Sequence, residues 1–302
     1  MGTDKNFALV IIGLGLLSPA QAAAKEPIIL APSSPWHIHQ SDDHCRLSRS
    51  FGEGDAKVNF TGMKFSEDDA LRMSFSGKSL KNRSDGSVKL QFHPHENYRM
   101  ADYYAATSSD NSPAVVLHFP VRLYDDMEMT KDRTDAMKAG DHNFLSPPMT
   151  AEQGAAITHL EFSGRGLPHL HMQFGRMDKV MEKLRECTDE MMTGWGLDMA
   201  RHKTLQARAQ PIGSPGDWVL SRDYPMLLAI SGVRGLVNFR LMVDEQGQTS
   251  SCHIQQSTRP AEFDALVCKM MMQRAKFQPA RDAEGQPMAS YYRNTVHFSI
   301  PQ

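Results

Sequence analysis

This chain of 302 residues lacks any long hydrophobic run. The longest, Phe7 to Leu17, falls short of the about 20 apolar residues that a spanning helix needs. A bundle of membrane-spanning helices is therefore excluded. A basic excess is missing too: 33 Lys and Arg face 35 Asp and Glu, for a net charge of −2. With no basic stripe, nucleic acid is not an expected partner. No Gly-x-Ser-x-Gly elbow occurs. Ser163-Gly164-Arg165-Gly166 is a different pattern, so no activated serine is assigned. Gly13-Leu14-Gly15 lies inside the apolar leader and is no phosphate loop. Asp42/Asp43 and Asp125/Asp126 sit in polar runs and read as solvated turns. There is no Pro-rich spacer, internal repeat or low-complexity tract. We assign no catalytic residue, no cofactor and no metal ligand.

Residues 1–22 read as a secretory signal. Lys5 supplies a weak positive start, Pro19 breaks the apolar run, and Ala20-Gln21-Ala22 offers small residues to a peptidase. The alternative is an uncleaved anchor in the inner membrane. Residues 23–35 are rich in Pro, Ser and Ala and are expected to be disordered.

From Trp36 the composition changes. Cys45–Phe51, Ala56–Phe60, Leu71–Phe75, Val88–Phe92, Val115–Phe119, Ile157–Phe162 and His169–Phe174 are short alternating or apolar runs parted by Gly, Asp, Ser and Pro. They predict an antiparallel β-rich domain over 36–197, either a sandwich or a curled sheet. Residues 125–150 form a charged insertion, read as a mobile loop or a surface helix from Met127 to Lys138. Met177, Val180, Met181, Leu184 and Thr188 share one face of a helix that closes this domain. Residues 198–217, with Pro211, Gly213, Pro215 and Gly216, read as a linker whose start is helical. Its shortness keeps the two domains close.

Residues 218–302 form the second domain of an α+β chain. Val237, Phe239, Leu241 and Val243 alternate on one strand. Asp244-Glu245-Gln246-Gly247 is a turn, with Gly for a left-handed position. Thr249–Ser257 is a second strand. Pro260 opens a helix whose face is Phe263, Leu266, Val267 and Met270, and which stops by Pro279. Tyr292, Val296, Phe298 and Ile300 mark a third strand. Three pieces carry a resemblance: Tyr224-Pro225 with Ala229; Gly232 and Gly235 ahead of Val243-Asp244 and Gly247; and Ala275-Lys276-Phe277-Gln278-Pro279-Ala280-Arg281 with Gly285. Together they resemble the TonB C-terminal domain. The last piece is similar to that family's Arg-Phe-x-Pro-Ala segment. Ser257-Thr258-Arg259 departs from the family's Ser-Ser-Gly.

The resemblance implies a small three-stranded antiparallel sheet with helices, in a diderm periplasm. It implies no enzyme. The implied partner is an envelope protein or a TonB-dependent outer-membrane receptor, which adds an extended segment to the last strand. On this chain that strand is 291–299, and the implied partner-binding residues are Tyr291, Arg293, Asn294, Thr295, Val296 and His297, with Tyr291, Arg293, Thr295 and His297 as the outward row. Polar residues on an edge also guard against aggregation, and one edge can do both. Energy transducers of the family keep an N-terminal helix in the inner membrane and carry a long spacer. This chain has no such spacer, so a periplasmic binding module is expected, with an anchored transducer as the alternative.

Cysteine is scarce but even in number, at 4. In an exported chain this fits two disulfides, with three possible connectivities. Cys252 on an inward strand position and Cys268 on the following helix can meet across a small core, which leaves Cys45 with Cys187. Four free thiols are the alternative. Three His-x-His pairs, His37/His39, His93/His95 and His169/His171, each place two imidazoles on one strand face, as a metal requires. The 20 methionines suit soft metals but also fill irregular cores. A periplasmic metal carrier or an enzyme in 36–195 is the reading from a different class.

Overall fold

The computed structural model of the chain describes residues 26–81, 84–95, 97–124, 127–138, 146–258 and 260–299. The expected signal at 1–22 lies outside the described residues, as do Asp125, Asp126, Arg259 and Ile300. No described helix is long and apolar enough to cross a membrane.

Ten strands of the N-terminal half form one sheet. In chain order they are β1 (Ile28–Leu30), β2 (His37–Gln40), β3 (Cys45–Phe51), β4 (Val58–Lys64), β5 (Arg72–Ser76), β6 (Gly86–His93), β7 (Arg99–Thr107), β8 (Pro113–Leu117), β9 (His159–Gly164) and β10 (Leu170–Met172). In space they run β1-β10-β9-β6-β7-β8-β5-β4-β3-β2. Every neighbouring pair is antiparallel except β1 with β10. The sheet is strongly curled. Just past β1, Pro32 bridges Phe51 at the end of β3, and Gly52 N donates to Ala31 O at 2.7 Å.

Alternation along each strand aims the large side chains inward. On β4, Val58, Phe60, Gly62 and Lys64 are buried and their neighbours are not. Phe174 sits among the aromatics, its ring 5.0 Å from Phe60, 5.1 Å from Phe51 and 5.7 Å from Phe92. Two helices lie between β8 and β9: α1 (Met127–Lys138), where the surface helix is expected, and α2 (Ala151–Ala156). After β10, α3 (Asp178–Gly194) buries Met181, Leu184, Cys187 and Thr188 against the sheet. Cys187 is bonded to Cys45 of β3.

Three strands go beyond the seven expected runs. β1 falls in the stretch read as disordered, but its backbone pairs with β10. β2 is exposed at every position, and β7 buries only Tyr103. Such strands give at most one large side chain each to the core and are held mainly by backbone pairing, so they carry no apolar alternation to read.

In the C-terminal half the chain continues through α4 (Met199–His202), β11 (Gln210–Pro211), α5 (Met226–Ile230), β12 (Gly235–Val243), β13 (Thr249–Ser257), α6 (Ala261–Arg274), β14 (Phe277–Gln278), β15 (Ala280–Arg281), β16 (Pro287–Met288) and β17 (Ser290–Phe298). Three strands make an antiparallel sheet ordered β13-β12-β17. The row Val237, Phe239, Leu241 and Val243 is buried with Phe263, Val267 and Met271 of α6. Cys252 of β13 is bonded to Cys268 of α6. Helix α6 ends at Arg274, because Ala275 turns extended and sends Phe277 out to pair with Pro211. Residues 198–217 are thus laid along the C-terminal unit. β11 pairs with β14, Ala207 bridges Arg281, and Arg201 meets Asp282 at 2.6 Å.

Candidate functional site

β17 lies at one edge of the C-terminal sheet. It pairs with β12 from Val243↔Ser290 to Gly235↔Phe298, and with no second strand among the described residues. The Thr295 amide donates to the Asn294 side-chain Oδ1 at 2.8 Å, away from the β12 ladder. Amides alternate sides along a strand. The backbones of Tyr291, Arg293, Thr295 and His297 therefore face the free edge, and those of Tyr292, Asn294 and Val296 face β12.

The side chains divide differently. Tyr292, Val296 and Phe298 turn toward α6 and pack on the C-terminal core. Phe298 stacks on Phe263 at 4.0 Å, and Tyr292 lies 5.1 Å from Phe277. Asn294 and His297 are exposed. Thr295 donates its hydroxyl to Asn238. Tyr291 and Arg293, expected in the row that meets a partner, are turned onto the chain's own N-terminal half. Tyr291 is buried between Trp195 at 5.5 Å and His202 at 5.8 Å, and its hydroxyl donates to Glu67. Arg293 sits 4.8 Å over the Phe65 ring and donates to Gln255 Oε1 at 2.6 Å. Beside them the edge opens on a cleft of about 230 Å³, walled by Glu67, His202, Arg208 and Pro211. The first half of β17 is thus shielded, and the stretch from Asn294 to Phe298 is the accessible part.

Much of the sheet face opposite α6 is committed in this way. Arg240 of β12 lies 2.9 Å from Asp43 and 3.7 Å over the Trp195 ring. Arg72 of β5 donates to Gln256 at 2.9 Å, and Gln255 donates to the Asp43 carbonyl at 3.2 Å. Burial drives the Arg293 pKa down to about 10 and pushes the Tyr291 hydroxyl well above 10. These contacts are charged and aromatic, so no apolar periodicity announces them. Glu67, Asp43 and Arg72 carry no sequence signal for their role.

Glu67 links the two halves. Arg208 lies 2.6 Å from its carboxylate. Burial raises the Glu67 pKa, but Arg208 and the Tyr291 hydrogen bond outweigh it, and the net value falls below 4.5. A folded-state value below the unfolded one contributes stability above the unfolded pKa and loses it as pH falls. The melting temperature of the wild type should therefore drop between about pH 5 and pH 3 more steeply than that of Glu67→Gln. Parallel melting curves across that range would refute the role of Glu67.

The motif residues hold the domain together and do not form the edge. The Tyr224 ring packs edge-on at 5.5 Å from Phe263 and 5.4 Å from Phe298, and its hydroxyl donates to Val233 O. A Cβ on Gly235 would come within 2.5 Å of the Phe263 ring. Gly247 has φ +75°, and a Cβ there would meet the Phe277 carbonyl at 1.9 Å, so only glycine fits where the turn docks on the Phe277 segment.

The histidine pairs separate. His37 and His39 lie on exposed β2. His95 packs on Tyr124 at 4.6 Å. His93, His169 and His171 gather around Glu161 of β9.

A small sheet with one helix face, its last strand unpaired on one side among the described residues, lies against a larger β-domain. Residues 221–300 match the family described as the Gram-negative bacterial TonB protein C-terminal. This part of the chain is a TonB C-terminal domain. The N-terminal half has no such match, and no curated protein matches the chain.

Proposed function

We propose that the chain is a periplasmic adaptor that captures an extended segment of an envelope or outer-membrane receptor by strand addition along Asn294–Phe298. The observation that carries this is the unpaired edge of β17, with the Thr295 amide turned outward and the Asn294 and His297 side chains exposed. Backbone amides supply affinity in this mode, and alternate side chains supply selectivity. Asn294, Thr295 and His297 give that selectivity, and Val296 ties the strand to β12 through its backbone and to the core through its side chain. Tyr291 and Arg293 act from beneath, fixing the strand to the N-terminal half. The family match supports the receptor class of partner.

Thr295→Pro tests this directly. Proline removes the outward donor without touching the β12 backbone ladder, although it also removes the Thr295 hydroxyl bond to Asn238, and an extended preceding residue suits it. Recovery of envelope protein on immobilised Thr295→Pro should fall at least about tenfold against the unaltered chain, a difference of about 1.4 kcal/mol. Equal recovery by both forms, or none by either, would overturn the reading. Sequencing the mature N-terminus then separates a free adaptor from an anchored transducer, since a start near residue 23 leaves no membrane segment.

A further inference from the structure

We infer that the outer face of β6, β9 and β10 is a binding site for a divalent transition-metal ion of the imidazole-preferring kind, Zn²⁺ or Cu²⁺, with Glu161, His169 and His171 as ligands.

The topology builds the site. β9 lies between β6 and β10, so alternate residues of three adjacent strands converge on one face. Leu160 and Phe162 of β9, Leu90 and Phe92 of β6, and Leu170 and Met172 of β10 point into the core. Their neighbours point out. His171 is the direct cross-strand partner of Glu161, and His93 is that of His159. His169, two residues before His171, shares its side of the sheet.

The distances fit one ion. His169 Nε2 lies 3.1 Å from Glu161 Oε1, and His171 Nε2 lies 4.0 Å from Oε2. The three ligand atoms all lie within 4.8 Å of one another. Bonds of about 2.0–2.2 Å in a tetrahedral shell put ligand atoms about 3.3–3.6 Å apart. Shifts of under about 1 Å, within ordinary rotamer freedom, therefore close the shell. His93 Nε2, at 3.2 Å from Glu161 Oε2, stands ready as a fourth donor. His159 stacks on His93 at 4.3 Å, and Thr158 Oγ1 lies 3.0 Å from its Nδ1. That contact fixes the His159 ring beside the cluster.

The surroundings favour a cation. The Glu161 side chain is only 15% exposed, and Lys89 reaches it at 3.4 Å. An entering ion takes the place of that ammonium, whose partly exposed chain swings into solvent. Two imidazoles and one carboxylate are a borderline donor set, which selects Zn²⁺ and Cu²⁺ over Mg²⁺ and Ca²⁺. None of these residues belongs to the β17 edge.

Titration calorimetry of the full chain, stripped with chelator, tests the site. With Zn²⁺ and with Cu²⁺ the expected result is one equivalent bound at micromolar or tighter affinity, and no heat with Mg²⁺. His171→Ala should weaken Zn²⁺ at least about tenfold. His37→Ala/His39→Ala, an exposed pair elsewhere, should leave it unchanged. The unaltered chain gives a second readout, free of any folding defect: nitrogen couplings from at least two imidazoles in its Cu²⁺ electron paramagnetic resonance spectrum. Millimolar binding, equal binding by His171→Ala and the unaltered chain, or coupling to fewer than two nitrogens would each overturn the assignment.

Discussion

Replacing Cys45 and Cys187 together with alanine should cost about 5 kcal/mol of stability. The bond closes a sequence separation of 142 residues. In the chain-entropy account, cross-linking a loop of that length removes about 5 kcal/mol worth of freedom from the unfolded chain. The Cys252–Cys268 bond spans only 16 residues, and its loss should cost about 3 kcal/mol. The longer bond is also the covalent tie between α3 and β3, and α3 carries Met181, Leu184, Met191 and Met192 into the N-terminal core. Guanidinium unfolding followed by tryptophan fluorescence measures both costs. Trp36 reports on the N-terminal core and Trp218 on the C-terminal one. A loss below about 1 kcal/mol for the Cys45/Cys187 pair would show that the unfolded chain is not the state this bond restrains.

Tyr291→Ala should cost about 3–5 kcal/mol, the usual range for deleting a buried aromatic side chain. The ring belongs to the N-terminal core cluster although it comes from the last strand of the C-terminal sheet. Its removal strips a wall from Trp195 and His202 and leaves Glu67 without its hydroxyl donor. Tyr291→Phe keeps the ring and loses only that donor, so it should cost about 1–3 kcal/mol. The order matters more than the values. If Phe costs as much as Ala, the hydroxyl outweighs the packing. If neither variant costs as much as about 1 kcal/mol, the two halves are not thermodynamically joined through this strand. Hydrogen exchange of the β17 amides should rise in Tyr291→Ala and stay near wild type in Tyr291→Phe.

The C-terminal sheet was legible because each of its strands has one apolar row and each turn has its own chemistry. Gly247 announced a left-handed turn, and the row from Val237 to Val243 announced a buried face. The N-terminal strands with Phe at alternate positions were legible for the same reason. β1, β2 and β7 were not, since they give at most one large side chain each to the core and are held mainly by backbone pairing. The site divides along the same line. The position of the edge strand could be read from its row of Tyr292, Val296 and Phe298. What covers half of it could not, because Glu67, Asp43 and Arg72 act through polar contacts between parts of the chain far apart in sequence, as in Tyr291 with Glu67 at a separation of 224. His159 and Glu161 alternate just as His169 and His171 do, and that matching pattern on a neighbouring strand was the overlooked hint of the cluster.

The half-shielded flank of β17 has a consequence for solubility. An unpaired strand invites copies of the same chain to join edge to edge and keep growing. Here the burial of Tyr291, the seat of Arg293 over Phe65 and the 208–211 segment beside them block a full-length register. A second copy can engage only the short remaining stretch, which is too little to propagate a fibre. A flexible receptor tail, which needs only a few residues of extended backbone, is not so restricted.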